Sequence, residues 1–63
     1  MGTLTPLGEQ AEQIKSWVWE DPEGRAQEAH DRLNELAHQA GDDSQALHEI
    51  QDVGTMVARL LAA

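Results

Sequence analysis

Residues 44–63 read SQALHEIQDVGTMVARLLAA. Ala46, Leu47, Ile50, Val53, Val57, Leu60 and Leu61 recur at helical spacings. At about 100° per residue they share one side of a helix. Gly54 and Ala58 fall in the same arc, with Met56 at its edge. The arc takes up roughly half of the circumference, more than one neighbouring helix buries. The expectation is an amphipathic helix gripped by two neighbours, or by one neighbour and a partner chain. No other segment is as rich in large aliphatics.

Upstream of this helix, Gly41 suits the C′ position that ends a preceding one. Asp42 or Asp43 then serves as the N-cap; with Asp42, Gln45 falls at the third position of a capping-box variant. The preceding helix runs back from Ala40 to Pro22. Its inner stripe is Ala26, Ala29, Leu33, Leu36 and Ala40, with Ala37 alongside. Most of these side chains are small, so the helix must lie close to its neighbours or meet large residues there.

Asp21-Pro22-Glu23 is the clearest boundary in the chain. Proline disfavours helical geometry at the residue before it, so one helix ends there. Asp21 can cap the next helix, with Pro22 at its first position. Thr5-Pro6 repeats the same start signal for a first helix over Pro6–Glu20, after a lead-in over Met1–Leu4. Leu7, Ala11, Ile14 and Val18 form its inner stripe, and Gly8 weakens its first turn.

Three helices joined by short connections make antiparallel neighbours. The fold class expected is all-α, an up-down-up three-helix bundle in one domain. Its centre should comprise Leu7, Ile14, Val18, Leu33, Leu36, Ile50, Val53, Val57 and Leu60. The alternative is a single long helix kinked at Pro22, giving a helical hairpin that dimerises into a four-helix bundle.

Sixty-three residues bury only roughly 60% of their unfolded surface, and scaffolds of this size often lean on a partner. The chain has no cysteine, so neither disulfides nor thiolate metal sites are available, and a reducing, cytoplasmic setting fits. No apolar run is long enough to span a membrane, and Met1–Gln10 lacks the pattern of a signal peptide. Twelve acids against Lys15, Arg25, Arg32 and Arg59 give a formal net charge of -8. That balance disfavours direct contact with nucleic acid or anionic lipid, both of which need clustered cations. The acids are scattered, as on a solvated surface.

Trp17 and Trp19 are the only aromatic residues. Two positions apart on a helix, they flank the inner stripe on opposite sides. Both can fill space against the small residues of the second helix. Alternatively one faces outward as an interface anchor, and Trp19, beside the turn, is the better candidate. Gly54 sits inside a helix, where glycine costs about 1 kcal/mol relative to alanine. With Ala58 it lets another backbone approach, either that of the second helix or that of a second chain.

His38 and His48 are expected to face solvent and His30 to lie at a stripe edge; no His-Glu-x-x-His pattern joins them. No catalytic, cofactor or metal residues are assigned, and the chain is not expected to be an enzyme. The function expected is a small, acidic protein–protein interaction module, self-associating as a homodimer, with a regulatory or adaptor role. Its candidate partner-binding residues are Trp19, Trp17, Gly54, Ala58 and Leu61. The alternative is an acidic inhibitor that occupies the nucleic-acid-binding surface of a basic protein.

Overall fold

The Thr5 hydroxyl accepts a hydrogen bond from the Gly8 N–H at 3.0 Å, and this cap opens the first helix. In the computed structural model, which describes residues 4–62, three helices follow one another: α1 (Pro6–Glu20), α2 (Pro22–Ala40) and α3 (Ser44–Ala62). Most of the lead-in (residues 1–3) and residue 63 lie outside the described residues.

Asp21 closes α1 and opens α2. Its N–H donates to the Val18 carbonyl at 3.1 Å, and its carboxylate accepts from the Gly24 N–H at 3.2 Å. With φ -153° and ψ 75° the residue is far from helical. The chain is therefore broken at Pro22 rather than kinked, which removes the long-hairpin alternative.

Gly41 ends α2 at φ 56° and ψ -113°. The positive φ suits glycine, although this ψ lies outside the left-handed helical basin. Asp43, not Asp42, caps α3, accepting from the Ala46 N–H at 3.2 Å. Gln45 accordingly takes no part in a capping box; its amide donates to Glu49 instead.

The three helices form an all-α, up-down-up bundle in which each touches both of the others. Its core comprises Ala11, Ile14, Val18, Ala26, Ala29, Leu33, Leu36, Ala40, Ala46, Ile50, Val53 and Val57. Five of these are alanines, so the helices sit close and few methylenes are buried. Leu7 and Leu60, expected at the centre, are only half-buried, because they lie near the bundle ends where two neighbours do not close over them. α3 buries Ala46, Ile50, Val53 and Val57. Its inner row is sealed, but Ala58 and Leu61 are exposed.

Candidate interaction surface

The fold treats the two indoles differently. Trp17 lies in the α1–α2 groove, a cleft of about 500 Å³ also lined by Gln10, Gln13, Arg32 and Gln39. It packs against the core. The Arg25 and Arg32 guanidiniums stand 5.0 and 4.7 Å from its ring centroid. Arg25 further donates to the Trp17 carbonyl at 2.8 Å and to Glu20 at 3.3 Å. Arg32 pairs with Glu28 at 2.6 Å, one turn away. Two of the four basic residues thus hold Trp17 in place as a strut between α1 and α2.

Trp19 continues the row Glu12–Lys15 along α1, and these two residues line the α1–α3 groove with Asp52, Val53 and Met56. At 53% exposure Trp19 is the most open large apolar residue in the described chain. The space-filling reading therefore holds for Trp17 and fails for Trp19.

α3 is also pinned to the start of α1. The Glu49 carboxylate accepts from the Thr5 N–H at 3.1 Å, the Thr5 hydroxyl at 2.7 Å and the Gln45 amide at 2.8 Å. In a capping box the third helical residue supplies this acceptor. Here that residue is Gly8, and the carboxylate comes from another helix. A Cβ on residue 8 would overlap it, so the apparent weakness of Gly8 is the room this contact needs. Nothing local in the sequence connects Thr5 with Glu49, and sequence reasoning missed the contact.

The Gln45 amide and the Thr5 hydroxyl and N–H hold the Glu49 carboxyl below its ordinary value of 4.5. A depressed folded-state pKa stabilises the fold fully above the unfolded value and loses its effect as pH falls through the folded one. Glu49→Gln should therefore lower the melting temperature at pH 7, and the difference from wild type should shrink below about pH 4. Thermal melts at both pH values check this; an equal difference at both would show that the charge contributes nothing.

The third face belongs to α2 and α3. Because α1 covers the Arg32–Leu36–Gln39 flank of α2 and the Asp52–Met56 flank of α3, the opposite flanks of both helices turn outward together. On α3 two parallel rows become visible. Ala46, Ile50, Val53 and Val57 form the sealed inner row. Leu47, Gln51, Gly54 and Ala58, each one residue further on, form with Leu61 a second row with the four-three spacing of a helix seam. Leu47 is half-buried, Ala58 is exposed and Leu61 is 43% exposed. A Cβ on Gly54 would meet nothing within 4 Å. The expected approach of α2 to Gly54 is thus absent: the glycine faces open space, not the second helix. On α2, Asn34, Ala37 and His38 line a shallow hollow of about 340 Å³. None of the residues in the row is charged.

Of the five residues singled out from sequence, the fold brings Gly54, Ala58 and Leu61 together on this face, places Trp17 in the α1–α2 groove and leaves Trp19 exposed on α1. His38 and His48 are exposed and His30 is half-buried. Among the described residues no three His, Asp or Glu side chains converge as metal ligands, and no helix is long and apolar enough to cross a membrane. The chain matches no family model, no curated protein and no solved structure, so the geometry alone carries the functional reading.

Proposed function

We propose that this chain is a small, acidic interaction module that works by binding proteins, a second copy of itself among them, and not by catalysis. The observation that carries the reading is the second row of α3: a seam-spaced, uncharged strip left open on a molecule of formal net charge -8. Two such molecules repel over most of their surfaces, and contact is least opposed where neither presents charge. Trp19, exposed on α1, offers a separate anchor for another protein. Two distinct faces suit a regulatory or adaptor role, and the cysteine-free composition accords with a reducing, cytoplasmic setting.

Sedimentation equilibrium at tens of micromolar tests the reading. Wild type is expected to approach twice the 6.9 kDa of one chain. Leu61→Asp, at an exposed position, should keep its helicity and remain monomeric. A monomeric wild type would refute self-association. Capture of a basic protein in a complex that collapses as salt rises would instead make the acidic surface the working one.

A further inference from the structure

We infer that Glu49 latches the start of α1 onto α3: while its carboxylate is ionised, residues 6–10 stay helical and seated, and when that charge is lost this turn unwinds with the rest of the bundle intact. The inference is independent of self-association and concerns a conformational device within one chain.

The start of α1 has little else to hold it. Gly8 lies in its first turn, and glycine is a poor helix former. Leu4 is exposed and Leu7 only half-buried. Among the described residues, no hydrogen bond or ion pair other than Thr5–Glu49 ties α1 or its cap to α3. The far end of α1 is held by the Trp17 ring and by the Arg25 bond to the Trp17 carbonyl, neither of which involves Glu49. Segments so unevenly fastened open locally before they open globally. Unwinding would uncover the core edge against which Leu7 packs, at the end of the bundle where α2 turns into α3.

The latch works through its charge. The Glu49 carboxylate accepts from both the N–H and the hydroxyl of Thr5, and such bonds are roughly twice as strong to an ionised acceptor as to a neutral one. It also sets a negative charge against the first turn of α1, where the backbone amides favour one. An added proton spoils the geometry as well. Oε1 already faces both Thr5 donors, so the proton falls on Oε2, against the Gln45 amide that donates there at 2.8 Å. Two donors then meet, and the Gln45 amide must turn over.

Other charged groups at this end leave Glu49 in control. They are Glu9 and Glu12 on α1, His38 on α2, Asp42 and Asp43 in the turn, and His48 and Asp52 on α3. No cation forms an ion pair with Glu49: Lys15 pairs with Glu12 at 4.0 Å, and His48 lies 3.9 Å from Asp52. His48 acts on Glu49 only by its charge, its positive form favouring the carboxylate. The latch therefore holds above the ordinary carboxyl value of 4.5 and opens as pH falls through the lower folded one.

Amide hydrogen exchange, read by NMR and corrected for its intrinsic pH dependence, tests the latch. The Gly8 and Glu9 amides, bonded to the Thr5 hydroxyl and carbonyl, should be protected at pH 7. They should lose that protection as the Glu49 carboxyl titrates, while the Val18 and Val53 amides keep theirs. In Glu49→Ala the two first-turn amides should already exchange freely at pH 7. Gln45→Ala removes the largest support of the ionised form and should move the opening to higher pH. Gly8→Ala puts a methyl group where the carboxylate lies and should loosen the first turn, although alanine is the better helix former. Equal protection of Gly8 and Glu9 in wild type and Glu49→Ala at pH 7 would overturn the latch. So would a loss of protection throughout the bundle at the same pH, or a first turn better protected in Gly8→Ala than in wild type.

Discussion

Val57→Asp leaves no cooperatively folded protein at 25 °C. Val57 has no accessible surface and, with Val18, is the largest side chain so enclosed. It sits on the inner row of α3, between α1 and α2. A carboxylate there meets no cation and no hydrogen-bond donor, since the core around it is wholly apolar. A chain of 63 residues has roughly 3–9 kcal/mol of stability in total. An isolated buried charge costs at least as much, so unfolding is the cheaper outcome. Ile50→Asp, two row positions earlier and 3% exposed, should behave alike. Circular dichroism with thermal melting reads the effect; retained helicity with a cooperative melt in either variant would refute the core assignment.

Trp17→Ala destabilises the bundle by about 2–4 kcal/mol, the range of large-to-small changes at packed positions with cation–π partners. The indole lines the α1–α2 groove, packs on the core and carries two guanidiniums on its ring. Truncation empties the groove and releases Arg32 from the ring. Arg25 keeps its bond to the Trp17 carbonyl, which is backbone, so the turn itself survives. Trp19→Ala, removing a half-exposed ring, should cost no more than about 0.5 kcal/mol. Urea denaturation of the two variants gives the comparison. Equal losses, or a larger one for Trp19, would mean that the strut has been assigned to the wrong indole.

The fold was legible because local chemistry and long-range packing agree along most of this chain. Thr5-Pro6 and Asp21-Pro22 announce helix starts, and both side chains do cap. The inner stripes follow one helical period and end in the core. What escaped the reading depended on which helix lies beside which. Glu49 looked like one more solvated acid until α3 was placed beside the start of α1, where its carboxylate completes the cap of Thr5. Gly8 looked like a defect for the same reason.

The candidate surface was half legible. Gly54, Ala58 and Leu61 are recognisable by residue type, but as members of one broad arc they fit either an intrachain contact or a second chain. Only the packing splits that arc into a sealed row and an open one. The four-three spacing from Leu47 to Leu61 is the sequence signal that distinguishes them. The fate of the indoles was beyond reach of periodicity: both flank the stripe of α1, and the positions of Arg25 and Arg32 across the groove make one a strut and leave the other bare.

The central claim is that the open row of α3 is where this protein meets its own copy. Amide chemical shifts followed on dilution from hundreds to a few micromolar test it most directly. Concentration-dependent shifts are expected at Leu47, Gly54, Ala58 and Leu61 and at Asn34 and His38 on α2, with the Trp17 indole unmoved. Shifts that leave this face untouched, or a spectrum that does not change with concentration, would contradict it.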